Sequence, residues 1–341
     1  MTRLALSALL LAAAVSCAPV PQLARSPEVY VNPVLDRDFP DPAVLRAADG
    51  WIYAYATRTP EGSRMLNLQV ARTRDLVRWQ HLGDALPEKP SWASGRVFWA
   101  PHVLYDAQRK KYFMYYSAQP DSGRGHCLAV ATAERPQGPF ADAGRPLLCG
   151  GGFENIDPMA FDDPRSGRPL LYWGSGFQPI RVQELSPDRM GFLPGSAPRE
   201  VIFPDKAKRY RALLEGAWVV FRDGRYYLFY SGDYCCGPKA RYAVMVARAD
   251  SPFGPFEDYA SGAPIVEASE AWLAPGHNSV FRDDAGDDWL LYHAYRPGRT
   301  DARVMLVDRI VYRDGWPRVA GDRPSSSAQP GPRWRLAPPE N

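Results

Sequence analysis

Three carboxylic acids are spaced by multiples of 58 residues along the chain: Asp41, Asp157 and Glu215. A lone Asp-Pro pair, as at Asp41-Pro42 or Asp157-Pro158, ordinarily starts a turn, and a Glu before Gly ordinarily sits in a solvated loop. Three acids at one phase of a repeat have a more specific use. Cleaving a glycosidic bond takes one carboxyl to protonate the leaving oxygen and another to act on the opposite face of the sugar. The acid must hold its proton near neutral pH, which requires burial or a neighbouring negative charge. A third carboxylate supplies that charge, so the trio has the number and types this chemistry needs.

The elements that must position these acids repeat five times. Each unit has a polar key residue, an apolar run, a turn, and an aromatic-rich strand ending in a small or polar residue. The units begin near Phe39, Phe98, Asn155, Glu215 and Gly276, and their key residues are Asp41, Trp99, Asp157, Glu215 and His277. Successive key residues are 58, 58, 58 and 62 positions apart. A period near sixty predicts an all-β, five-bladed β-propeller, one four-stranded sheet per repeat. Asp49-Gly50 and Asp223-Gly224 favour tight hairpins, since Gly tolerates φ > 0. Gly-Pro-Phe closes two of the units, at 138–140 and 254–256. In a propeller the inner strands line one axis, so equivalent positions of successive blades meet around a central funnel. A purely structural repeat would place similar residues there. Here the phase is shared and the chemistry differs, which points to a site.

Bulk composition narrows the partners. Lys and Arg total 41 against 38 Asp and Glu, a net charge of +3, and no basic block would track a phosphate backbone. Nucleic acid is therefore not expected as a partner. The 34 Pro, 28 Gly and 18 Tyr suit many short strands joined by turns. Residues 1–17 read as a signal peptide: Arg3, then an apolar run from Leu4 to Val15, too short for a stable membrane span. Ala14-Val15-Ser16-Cys17 resembles a lipobox, which implies export and a lipid anchor at the bacterial cell envelope as the sole link to a membrane; the alternative is an ordinary secretory signal with a coincidental Cys and a secreted protein. Four cysteines then remain, an even number that suits an oxidising compartment. Cys235 and Cys236 are adjacent, Cys127 and Cys149 are left over, and spacing proves neither bridge. Residues 18–30 read as a tether, 31–320 as one propeller domain, and 321–341 as a tail or a final strand.

The ordered motifs resemble those of glycoside hydrolase family 43, the family of arabinanases, α-L-arabinofuranosidases and β-xylosidases. The matching pieces are Asp38-Phe39-Pro40-Asp41-Pro42, Trp99-Ala100-Pro101, Ile156-Asp157-Pro158, Glu215-Gly216 and Gly276-His277-Asn278-Ser279. The resemblance covers residues 31 to 320. One departure is Ala217, where many members carry Pro. The resemblance implies inversion of configuration, with Asp41 as general base, Glu215 as general acid, and Asp157 tuning and orienting the acid. It implies no cofactor for the chemistry, but calcium near His277 as a metal site. Trp99 and Phe39 are expected to wall a sugar subsite, Arg303 to reach the substrate, and His293 to pack behind the site.

The expected substrate is an oligo- or polysaccharide, α-L-arabinosidic bonds in arabinan or arabinoxylan first and β-xylosides next, acted on by a monomer. Fructoside-cleaving propellers would show Asn-Asp-Pro-Asn, Arg-Asp-Pro and Glu-Cys, which are absent here. A glycan-binding surface lipoprotein would tolerate loss of a carboxylate, and all three are present. Gly174-Ser175-Gly176 lacks the spacing of a hydrolase nucleophile elbow.

Overall fold

The computed structural model describes residues 23–24, 29–95 and 97–335, so the expected leader and Cys17 lie outside the described residues. Among the described residues no helix is long and apolar enough to cross a membrane. The regular secondary structure of the described residues is almost entirely strand. Five antiparallel sheets follow one another in sequence, their first strands at Ala43–Arg46, Phe98–Asp106, Met159–Asp162, Leu214–Arg222 and Leu273–Arg282. Each sheet runs outward from that inner strand in sequence order, which is the five-bladed β-propeller the repeat predicts.

The second strands explain why hydrophobic alternation is weak. Lys111–Ala118 and Arg225–Tyr234 are buried at nearly every position. Each sheet is sandwiched between neighbouring blades, so both of its faces are covered, and aromatic and β-branched residues occupy both. The hairpin in blade four turns on Asp223 (φ 49°) and Gly224 (φ 81°). Two successive left-handed residues match the twist of the flanking strands. The Gly-Pro-Phe turns are packing devices: Phe140 meets Tyr55 edge-on, 6.2 Å between ring centres, and the Tyr55 hydroxyl donates to the Pro136 carbonyl.

Residues from both ends of the chain close the ring on blade five. The Val34 and Phe39 amides donate to the Met305 and Arg303 carbonyls, adding a segment to the open edge of Arg299–Arg313. Tyr30 pairs with Gln329, and Leu23–Ala24 with Trp334–Arg335. The Trp272 indole donates to the Ser325 carbonyl. The stretch read as a tail is thus tied to the fold through residue 335. Both cysteine pairs are bonded, Cys127 with Cys149 across paired strands and Cys235 with its neighbour Cys236.

Candidate active site

Every inner strand carries a residue in left-handed conformation near its start: Asp41 (φ 59°), Ala100 (φ 44°), Asp157 (φ 55°), Gly216 (φ 64°) and His277 (φ 44°). Strand pairing breaks there in blades two, four and five. This kink is the true structural repeat. Asp41, Asp157 and His277 sit on it, whereas Trp99 and Glu215 sit one residue ahead. Non-glycine residues adopt such angles at a cost and need support. The support comes from the preceding blade's second strand. The Ala100 amide donates to Thr57 Oγ1 (2.8 Å), Asp157 to Ser117 Oγ (2.9 Å), His277 to Ser231 Oγ (2.8 Å), and Asp41 to His293 Nδ1 (3.1 Å). Ser175 plays the same part for blade four through the backbone of Leu214. These five polar residues are the strand endings of the repeat, and the sequence reading gave them no role beyond the one expected of His293.

Two glycines of the motifs have concrete reasons. A Cβ on Gly276 would stand 2.0 Å from Tyr242 Cδ1, so only glycine lets that ring lie against the strand. Gly216 combines its positive φ with an amide that donates to Asp157 Oδ2 at 3.0 Å.

The kinks deliver the three acids to one cleft of about 580 Å³, in the range of ligand pockets. Asp41, Asp157 and Glu215 line it and are each only 6–7% exposed. Their environments differ. Asp41 receives Arg303 Nη1 on one oxygen (3.0 Å) and the Thr57 hydroxyl on the other. Burial alone would raise its pKa, but Arg303, His277 and His293 outweigh burial and hold it well below the usual carboxylate range. Burial pushes His293 down to about 4 and lowers His277 as well, so near neutral pH the lasting positive charge is that of Arg303. Glu215 accepts one hydrogen bond from the Tyr242 hydroxyl (2.8 Å). Burial pushes its carboxyl up to about 7; the Tyr242 bond pulls it down and the Asp41 charge pushes it up again. Asp157 is raised by burial first, then by Glu215 and Asp41. The cleft therefore places one firmly ionised carboxylate opposite carboxyls that retain a proton.

The remaining expected residues divide. Trp99 lines the cleft, half-exposed and stacked on His126 with ring centres 4.3 Å apart. Arg303 lines it too, with its guanidinium committed to Asp41. Phe39 does not reach the cleft: it is fully buried, edge-on to His81 in the core, which corrects its expected place in a sugar subsite. His277 lies between two acids, Nδ1 3.4 Å from Asp41 and 3.7 Å from Asp157. The residues do not fit the calcium expected there. That ion takes six to eight oxygens, whereas Asp41 is occupied by Arg303 and Thr57, and Asp157 by the Gly216 amide. Among the described residues no three His, Cys, Asp or Glu converge on a metal position. Tyr242 escaped sequence reading because nothing in YAVMVARAD sets it apart from a core tyrosine; only the fold brings it to Glu215.

The profile of the family described as "Glycosyl hydrolases family 43" matches residues 30–317. This chain belongs to that family. As a family 43 glycosyl hydrolase it is 32% identical to Beta-D-galactofuranosidase xynD of Aspergillus niger, over 83% of this chain and 82% of the relative. It is 25% identical to Extracellular endo-alpha-(1->5)-L-arabinanase 2 of Bacillus subtilis, over 82% and 70%. A thermostable family-43 glycoside hydrolase of known crystal structure superposes with a TM-score of 0.75 at 30% identity, over 89% of this chain and 99% of that one. The family 43 propeller described here is thus a glycoside hydrolase, with a glycan as substrate.

Proposed function

We propose that this family 43 enzyme is an inverting glycosidase acting on furanosides, α-L-arabinosidic bonds of arabinan or arabinoxylan first. The contrast between Asp41 and Glu215 carries the reading. A general base must be ionised and a general acid protonated at the same pH. Arg303 keeps Asp41 charged, while burial keeps Glu215 protonated up to about pH 7. In this mechanism Glu215 protonates the leaving oxygen and Asp41 takes a proton from water attacking the anomeric carbon from the other side. Asp157 orients the acid through the Gly216 amide, beside which Glu215 stands. Asp157 also tunes the acid: the two neighbouring carboxyls oppose each other's ionisation, and burial keeps protons on the pair. Trp99, backed by His126, offers an apolar face to the sugar ring.

One observation favours a second substrate. The A. niger relative is named a β-D-galactofuranosidase. β-D-Galactofuranose has the ring configuration of α-L-arabinofuranose with one additional carbon outside the ring. Both sugars would present the same ring to the same acids. The β-xyloside reading draws on the family and on a relative named a putative beta-xylosidase. The leader and Cys17 support an exported, lipid-anchored protein, and the names of two relatives include "extracellular".

Hydrolysis of nitrophenyl α-L-arabinofuranoside, β-D-galactofuranoside and β-D-xylopyranoside, with arabinan and arabinoxylan, tests the reading. Arabinoside cleavage with the inverted anomer released first is the expected result. Retention of configuration sinks the assignment of Asp41 as base. Binding of these glycans without cleavage of any makes the protein a glycan-binding lipoprotein.

A further inference from the structure

The wall of the cleft above Glu215 is built unlike the rest. Glu215 pairs with Ser231 across the hairpin of blade four. From Ser231 the second strand continues to Tyr234, and the chain then forms the Cys235–Cys236 disulfide. Cys235 is four residues beyond the partner of Glu215, about 13 Å farther along at the rise of a strand. Tyr234 and both cysteines line the same cleft as Glu215. Tyr234 is 53% exposed, and Phe177 at 38% meets it edge-on with ring centres 6.4 Å apart. Large aromatic side chains left open beside a cleft mark contact surfaces more often than isolated exposed ones do.

Joining adjacent cysteines closes a small ring through one peptide unit and leaves a knob without strong hydrogen-bonding groups on its side chains. The knob is held in place from below. Cys235 packs against the apolar cluster of Tyr242, Ala274 and Tyr295. Arg241 pairs with the buried Asp233 at 2.7 Å, at the other end of the same turn. A rigid apolar surface of this kind suits the C–H face of a sugar ring and offers nothing to its hydroxyls.

Its position decides which sugar. The acid stands beside the leaving oxygen, so the sugar departing with that oxygen lies along the acid's own blade. We propose that Tyr234 and the Cys235–Cys236 disulfide form the subsite for the leaving-group sugar, the unit released when the bond is cut. The inference rests on the glycosidase reading and on Glu215 as the acid.

The test compares wild type, Tyr234→Ala, Tyr234→Phe and the double variant Cys235→Ala/Cys236→Ala on two readouts. One is KM and kcat for a trisaccharide of whichever sugar the wild type cleaves. The other is inhibition by the free monosaccharide, which reports on the sugar pocket at the acids. Tyr234→Ala and the cysteine variant are expected to raise the trisaccharide KM about tenfold each, with monosaccharide inhibition unchanged and Tyr234→Phe near wild type. An unchanged KM in Tyr234→Ala overturns the subsite, and because that side chain is exposed its removal does not threaten folding. A fall in kcat with a moved pH profile and unchanged KM also overturns it, since the disulfide would then act only through Tyr242. A wild type that cleaves no glycoside overturns the glycosidase reading itself, a different result from active wild type with indifferent variants.

Discussion

The floor and the rim of the cleft are built on opposite principles. On the floor, Asp41, Asp157 and His277 sit on kinked backbone, nearly buried, each amide tied to the preceding blade. The rim at Tyr234 and Phe177 is exposed, aromatic and without charge. Desolvation is concentrated where protons would move and raises all three acids, and the Arg303 charge bonded to Asp41 is what sets that acid's pKa apart. The rim side chains are exposed and hold no ionisable acid, so the rim can influence which glycan is held without changing how the bond is cut. A change on the floor should therefore act on kcat, and a change on the rim on KM.

The largest effect tests that division most directly. Glu215→Ala and Asp41→Ala should each lower kcat by about a hundredfold or more, the usual contribution of a general acid or base, while glycan binding persists. Full activity in either variant would break the comparison. Next comes Arg303→Met. It leaves Asp41 buried without its cation, and removing one partner of a buried pair costs about 3–5 kcal/mol. Thermal unfolding should show the loss. In the surviving folded enzyme the acid limb of the rate profile should move to higher pH, because Asp41 then takes a proton more readily. An unmoved acid limb would mean that Asp41 is not the group titrating there.

Much of the floor was legible in the sequence because propeller repeats put function at a fixed phase. Asp41, Asp157, Glu215 and Trp99 all reach the cleft from positions 58 residues apart. The phase did not distinguish residues on the kink from those one position ahead, since φ leaves no mark on an Ala or an Asp. Phe39 shows the cost: two residues before the kink, it points into the core. The hydroxyls of Thr57, Ser117, Ser175 and Ser231 were visible only as small or polar strand endings. Their partners lie one blade onward, a relation between blades that a single repeat does not contain. Tyr242 and the rim depend on how hairpins of blade four fold over the axis, and no periodicity encodes that.

A smaller effect concerns stability. Burial pushes the Glu215 carboxyl up to about 7 in the folded protein, against an ordinary value of 4.5. Between those values the folded state binds more protons than the unfolded one, so this residue's contribution falls as pH rises and is lost above about 7. A shift of this size is on the order of 3–4 kcal/mol. Glu215→Gln keeps an acceptor for Tyr242 and carries no proton to lose. Its melting temperature should equal or exceed that of wild type at pH 8, with the gap closing toward pH 4.5. A gap that stays constant with pH would place the carboxyl's titration elsewhere.

The smallest effect separates floor from rim most finely. Tyr242 touches both, donating to Glu215 and supporting Cys235 from below. Its hydroxyl stabilises the ionised acid, so it lowers the Glu215 pKa. Tyr242→Phe removes that bond and keeps the ring that packs under the disulfide. The alkaline limb of kcat should then move to higher pH by about one to two units, the size of a single hydrogen bond to a charged group. KM for a trisaccharide should stay at the wild-type value, because the apolar support of the rim is intact. If KM rises together with the shift, the two regions are mechanically one. If the limb moves to lower pH, the sign assigned to this hydrogen bond is wrong and Glu215 is held protonated by something other than burial.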